Sequence, residues 1–427
     1  MIEPPANLSV WQKPEAIAGD FGSVTTQAVD LVVVGAGVQG LSAALQAARR
    51  GLSVQVIEAA SLGEGASGLN GGQVIPGMKF DPEALVAMLG PERGARLTEF
   101  SAGTADAVFS LISNEKLDVP HTRTGWIQAA HSETAMAAAA QRHRQWRAHG
   151  ADVTLLNHAE IALLTGAKGY RGGWLDRRAG TIDPLAYVFA LARLAVAQGV
   201  RIALNTRVTG LLRDGGGWRV ATEGGGEVRA AKVLVATNAY SDTLVGGLAQ
   251  SLVWLHSFQI ATAPLPASLA DIILPHGQAV SDSRRILVYF RKSPDNRLVL
   301  GGRGPMRAPA GAEDWQHQER ALIRLYPVLA GHPIERRWFG RVAMTSDFLP
   351  HLHEPEPGLL MVAGCQGRGV GLMTALGAPL ADYIADGDPS LLPLPISPIR
   401  PIPLHRFRRV GVAARIAWSR MLDRLER

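Results

Sequence analysis

The string VVVGAGVQG, residues 32–40, decides how this chain begins to fold. Asp30 to Val34 is a short β-branched, apolar run that stops at Gly35, and it reads as a strand. Beyond it Leu41, Ala44, Leu45 and Ala48 recur at helical spacing, with Gly51 as a stop after the last turn. Residues 53–58, SVQVIE, read as a second strand, so a β-α-β unit closes within about 30 residues. Each glycine of the turn has its own task. Gly35 permits the sharp bend, Gly37 lets the backbone approach a pyrophosphate at the helix N-terminus, and Gly40 lets helix and strand pack closely. Glu58, 21 residues beyond Gly37, is placed to accept from ribose hydroxyls. A carboxylate there repels a 2′-phosphate, so NADP is disfavoured while NAD and FAD both stay open. The expected contacts are Gly35, Ala36, Gly37, Val38, Gln39, Gly40, Glu58 and Ala59.

Composition supports a large folded enzyme. Of 427 residues 47% are hydrophobic and 19% charged, too apolar for disorder and ample for a sizeable core. The 47 glycines, about 11% of the chain, exceed the typical ~7% and suit close backbone approach to a nucleotide. The single Cys365 excludes an intramolecular disulfide and a thiolate metal cage. The net charge of +6 invites a nucleic-acid reading, but residues 400–427 hold eight Arg against Asp423 and Glu426, and the preceding 399 residues balance 35 basic against 35 acidic groups. No nucleic-acid partner is therefore expected. The first 28 residues lack the pattern of a signal peptide, and the longest uncharged stretch, 243–270, is broken by glycines and prolines, so a cytoplasmic protein is expected.

Residues 199–237 read as strands separated by glycine turns at 215–217 and 224–226. Residues 250–335 alternate like antiparallel strands with one solvated face, carrying a helix over 313–326. From residue 336 the chain gives another strand, then GLLMVAG at 358–364, a glycine-rich turn and a helix over 371–386. The expected fold class is α/β: a discontinuous Rossmann-type lobe of 28–110, 175–248 and 336–390, with an inserted antiparallel-sheet substrate lobe of 111–174 and 249–335. Residues 391–427 form a Pro-rich segment and a basic amphipathic helix, whose stripe of Val410, Ala414, Ala417, Met421 and Leu425 is expected to dock on the body, with a membrane surface or a subunit interface as alternatives.

Following Glu58, the segment GEGASGLNGGQV at 63–74 resembles the flavoprotein family of D-amino-acid oxidase, glycine oxidase and sarcosine oxidase, most closely its bacterial γ-glutamylputrescine-oxidase-like branch. VLVATNAY at 233–240, WFGRVAMTSDFLP at 338–350, GCQGRGVG at 364–371 and the proline-rich end are similar to the same family. The resemblance implies FAD, with Ser67, Asn70, Gly71, Gly72, Gln73, Val208, Ala236, Thr237, Gly364, Gly367, Arg368, Gly369, Val370 and Gly371 as further cofactor contacts. The stretch preceding the Thr-x-Asp element has no Cys, which implies noncovalent FAD.

The resemblance also implies oxidation of the C–N bond of a small amine or amino acid, by hydride transfer to flavin N5 and hydrolysis of the imine. Residues 200–370 carry no second dinucleotide fingerprint, so the organic substrate itself is the expected electron donor. An oxidase using O2 is expected. The alternatives are a dehydrogenase passing electrons to a quinone or carrier at a membrane surface, and a flavin lobe acting in tRNA modification. Tyr289 and Arg291, two apart on one strand, share a face and are candidates for holding a substrate carboxylate. Trp254 and Phe258 are expected to line the same pocket. Arg341 lies one position before the family's carboxylate-binding Arg, where Val342 stands, and one residue reverses the face of a strand. Lys79 is a candidate for attracting oxygen. His351, His353 and Glu354 imitate a metal cluster but lie among prolines, so they read as a loop and no metal is expected.

Overall fold

The computed structural model describes residues 9–11 and 21–425; the prolines at 4, 5 and 14 and the last two residues lie outside them. The run at the start of the fingerprint forms the strand Val29–Val34, in which every residue but Asp30 is buried. Burial on both faces is what a strand in a covered parallel sheet requires. It pairs in parallel with Val54–Ile57 on one side and Glu227–Val235 on the other. Arg201–Ala203 and Leu359–Ala363 extend the parallel order outward, while Val208–Asp214 and Gly217–Thr222 fold back antiparallel onto the first half of Glu227–Val235. One sheet thus draws on the start, middle and end of the chain. The helix Val38–Arg49 packs on it, with Pro184–Ala197 and Gly377–Asp386 against its flanks.

The second sheet has eight strands in the order Ile334–Met344, Val253–Thr262, Leu298–Arg303, Val288–Lys292, Ala279–Asp282, Trp126–Ala130, Gly172–Asp176 and Val153–Leu156. All neighbours are antiparallel except Ala279–Asp282 with Trp126–Ala130, which run parallel. One face carries a core of Phe258, Phe290, Trp315 and Leu322 beneath the helix Gln316–Leu325. The face expected to be solvated turns instead toward the first lobe. Its Gln259 and Trp338 are fully buried there.

Several boundaries differ from the expectation. Residues 336–344, assigned to the first lobe, complete a strand of the second sheet, and residues 175–176 end another. Residues 111–114, assigned to the second lobe, close the helix Thr104–Asn114, which packs on the first core. An alternating strand carries no local mark of the sheet it will join, because that choice is made by pairing partners distant in sequence. The helix expected over 371–386 is two, Gly369–Ala375 and Gly377–Asp386. His351, His353 and Glu354 lie on the strand His351–Glu356 rather than a loop, and His353 is hydrogen-bonded to the Ser397 carbonyl.

The basic end is helical over Arg408–Leu425, but its stripe is rotated from the expected one. Val410 and Met421 are exposed at 69% and 43%, whereas Val412, Ile416 and Leu422 are half-buried. The side chains of Ala417 and Leu425 lie outside the described set. Polar anchors fix the rotation: Asp423 accepts from the backbone N–H of Arg285 and of Ile286, and Arg408 lies over Trp254.

Candidate functional site

The turn after Val29–Val34 has the backbone its glycines imply. Gly35 has φ +107, a conformation closed to residues with a Cβ, and such an atom at Gly40 would overlap the Gly35 carbonyl. At Gly37 a Cβ would stand 2.8 Å from Ser67 Oγ, so the helix start and the Ser67 loop face each other across a gap that only a bare backbone leaves open. Val38 N–H donates to Ser67 Oγ at 3.0 Å. The Glu58 carboxylate accepts from Ala36 N–H at 2.8 Å and from Ala60 N–H at 3.0 Å, which fixes it beside the turn with acceptor capacity to spare for hydroxyls. Ala59 is exposed. Gln39 is buried with both amide atoms unpartnered, an uncompensated polar group inside the fingerprint itself. Ala236 packs behind Gly35 and donates its N–H to Val34, and Thr237 bonds Ser241 Oγ. Val208 sits in the core cluster that includes Val34 and Ile57.

The loop after Glu58 is strapped from several directions. Asn70 Oδ1 accepts from Gly72 N–H, and its Nδ2 donates to the Ala66 and Ser67 carbonyls. Leu69 O accepts from Trp338 Nε1 at 3.0 Å and from Gln259 Nε2 at 2.7 Å. Asn70 O accepts from Trp11 Nε1 at 2.9 Å. Gln73, expected to reach the cofactor, instead donates to the Val280 and Phe290 carbonyls and accepts from Ser281, so it ties the loop to the second sheet.

Arg291, expected to hold a substrate carboxylate, is likewise taken up by the backbone. It is 3% exposed, its Nη1 donates to the Ile182 and Gly72 carbonyls, and its Nε donates to Lys292 O. Burial pulls it down to about 10, with Asp183 opposing, so it remains charged near neutrality and acts as a strut under the loop. Its partner on the strand, Tyr289, lies against Gly71 and Gly301, where added Cβ atoms would strike its ring. The Tyr289 hydroxyl meets Ser257 Oγ at 2.7 Å, and burial pushes it up to about 12.

Arg341 faces the other side of the sheet. Trp338 and Gly340 on the same strand meet Leu69, whereas Arg341 stacks between Tyr240 at 5.0 Å and Trp254 at 4.8 Å. Register puts Trp254 and Phe258 on that far face too, and Phe258 belongs to the second lobe's core. Neither shares a face with Tyr289. Lys79 is exposed and lies over the Phe348 ring at 3.2 Å.

The turn at 364–371 closes the site from the other end. Gly364 and Gly367 have φ near +80, and Gly364 N–H donates to Asn238 Oδ1. Gly367 lies 4.0 Å from Val342 when given a Cβ, and Gly371 passes close to the Thr104 backbone, with Gly369 and the buried Val370 between. Arg368 donates to Pro76 O at 2.6 Å and lies over Trp126; burial and Arg142 bring it down to about 10.

Sequence reasoning missed Trp11, Ser257 and Gln259. None lies in a motif, and each acts only through a loop distant in sequence; the Trp-x-Gly at 338–340 was the one visible signal of the strapping face.

A cradle that a single Cβ would fill, an unpartnered buried amide and a poised carboxylate fit a flavin dinucleotide. Comparison with known proteins agrees. The FAD dependent oxidoreductase family profile matches residues 30–383. "Probable oxidoreductase OrdL" of Rhizobium meliloti (strain 1021) is 30% identical over 405 residues, 92% of each chain. "Gamma-glutamylputrescine oxidoreductase" of Escherichia coli (strain K12) is 28% identical over 403 residues, 93% of each chain. Among solved structures, glycine oxidase from Geobacillus kaustophilus superposes with a TM-score of 0.72 at 22% identity, covering 88% of this chain and 99% of its own, and shares the fold. The bare-backbone turn, the strapped loop and the match across most of its length have one explanation: this chain belongs to the family of FAD-dependent oxidoreductases and takes FAD as its cofactor.

Proposed function

We propose that the protein oxidises the C–N bond of a small primary or secondary amine or amino acid, giving an imine that hydrolyses, with O2 as the terminal acceptor. The observation that carries this reading is what faces the flavin loop: a strand surface presenting a Tyr289–Ser257 hydroxyl pair, where a nucleotide-driven reductase would need a second glycine fingerprint. The relatives named for glycine oxidase and γ-glutamylputrescine oxidoreductase activity support the same class.

Bound FAD supplies the two-electron acceptor. The protein's part is to hold and desolvate. Gly35, Gly37 and Gly40 with Ser67 and Glu58 would hold the pyrophosphate and ribose; Trp338, Gln259, Trp11 and Arg291 keep the loop in place. Tyr289, protonated throughout the working range, offers a neutral hydroxyl oriented by Ser257. A neutral amine needs no obligatory acid–base pair, in keeping with the absence of a titrating group from that pair.

Anaerobic titration across an amine panel tests the reading: one or more amines should bleach the flavin, and air should restore the colour with stoichiometric peroxide. Failure of every amine would refute it. The cytoplasmic location expected from sequence stays part of this proposal. No helix among the described residues is long and apolar enough to cross a membrane.

One observation favours a second reading, a dehydrogenase feeding a quinone or carrier at a membrane surface. The C-terminal segment exposes Phe407, Val410, Trp418 and Met421, with Arg406 and Arg409 also exposed, an apolar-and-basic surface suited to anionic lipid. Slow reoxidation in air, rapid reoxidation by a soluble quinone, and sedimentation with phosphatidylglycerol vesicles would together favour it.

A further inference from the structure

We propose that Lys79, Arg303 and Arg415 form an anion subsite at the rim of the substrate face, taking a carboxylate that the substrate carries several bonds away from the carbon being oxidised. The inference rests on the amine-oxidising reading above and narrows its substrate class.

The three cations come from three parts of the chain. Lys79 follows the flavin loop, Arg303 ends the strand Leu298–Arg303, and Arg415 sits on the C-terminal helix. Two of them meet at Phe348: the Lys79 ammonium lies over its ring at 3.2 Å, and the Arg415 guanidinium lies over the same ring at 5.7 Å. Arg303 is near enough for its charge to act on Lys79 and to feel that of Arg415. Phe348 itself has φ +60, a left-handed conformation costly for a bulky residue and concentrated at binding sites.

Register places Arg303 on the substrate face. It stands opposite Ser257 in the ladder and two residues from Gly301, the glycine against which Tyr289 packs. The rim is therefore continuous with the Tyr289–Ser257 pair.

Among the described residues the charges of this cluster are all of one sign. Partial desolvation of an otherwise exposed side chain, with Arg415 and Arg303, lowers Lys79 to about 8, and burial and Arg415 lower Arg303. The nearest acid on the Phe348 loop, Asp347, is engaged with His351. Like charges gathered in this way oppose one another until an anion arrives. Of the described cations closer to the loop, Arg291 donates to backbone carbonyls, Arg341 is stacked on the far side, and Arg368 lies over Trp126 and donates to Pro76 O. A carboxylate recognised here is thus separated from the reacting carbon by the distance from rim to loop.

The test uses the holoenzyme with glutarate as probe, measured by calorimetry and by perturbation of the flavin spectrum. Wild type should bind one glutarate. Arg303→Gln and Arg415→Gln should each weaken binding at least tenfold, and Arg303→Lys should restore part of it. Raising pH from 7 to 9 should weaken binding as Lys79 loses its proton near 8, and Lys79→Met should remove that dependence. In turnover, the preference for 5-aminopentanoate over 5-aminopentanamide, as a ratio of kcat/KM, should collapse in the Arg303 and Arg415 variants. Absence of glutarate binding in wild type, or equal affinity in both Gln variants that retain FAD, would overturn the subsite. If glutarate binds as described while no amine bleaches the flavin, the subsite stands and the amine-oxidising reading falls.

Discussion

The contact between Gly37 and Ser67 allows a worked prediction. In Gly37→Ala the new methyl would lie 2.8 Å from Ser67 Oγ, short of a relaxed contact of about 3.3 Å or more by roughly half an ångström. The near atom is a side-chain oxygen, so the serine can rotate away; doing so breaks its bond with Val38 N–H. A buried amide left without its acceptor costs about 1–3 kcal/mol. The methyl also thickens the backbone where the pyrophosphate must approach. We expect FAD affinity to fall at least tenfold, since about 1.4 kcal/mol is one decade. Titration of apoprotein with FAD, followed by quenching of flavin fluorescence, measures this directly. Ser67→Ala loses the same bond without adding the methyl, so the double variant should be no worse than Gly37→Ala alone, a non-additive pair. Additive losses, or wild-type affinity in Gly37→Ala, would refute the reasoning.

Three shorter predictions follow from the same geometry. Arg291→Met leaves the Gly72 and Ile182 carbonyls and Asp183 without their cation, so thermal stability and FAD retention should fall together, by about 2 kcal/mol, and Lys should not rescue because it lacks the fork; an unchanged melting temperature would contradict the strut. Burial raises the Tyr289 hydroxyl to about 12, so it keeps its proton at every pH below that, and Tyr289→Phe should lower kcat/KM without moving any limb of the pH profile between 6 and 9. Trichloroacetic acid should leave the yellow colour in the supernatant, because Cys365, the chain's one thiol, lies in the glycine-rich turn and not upstream of the Thr-x-Asp element; a yellow pellet would show a covalent link.

The nucleotide half of the site was legible from a single sequence because its physics is local. A tight turn, a helix start and a carboxylate at the next strand's end are set by neighbours within about 30 residues, and the positions of Gly35, Gly37, Gly40, Glu58 and Ser67 agree with their spacing. The substrate half was legible only in part. Spacing alone put Tyr289 and Arg291 on one face, and they do share it. It did not say that Arg291 would be taken up by carbonyls from two other segments, or that Gln73 would turn toward the second sheet.

What the sequence determined by itself, then, is the dinucleotide lobe and, through its glycines, the kind of ligand it accepts. What the tertiary structure decided is which side chains hold the loop beside that turn. Trp11, Gln259 and Trp338 reach one loop from positions up to 269 residues away, and Lys79 and Arg415 reach one phenylalanine from the loop region and a terminal helix. The difference has a physical reason: a glycine turn is specified by steric limits on its own backbone, while a face is specified by pairing register and packing between segments that carry no local sign of each other.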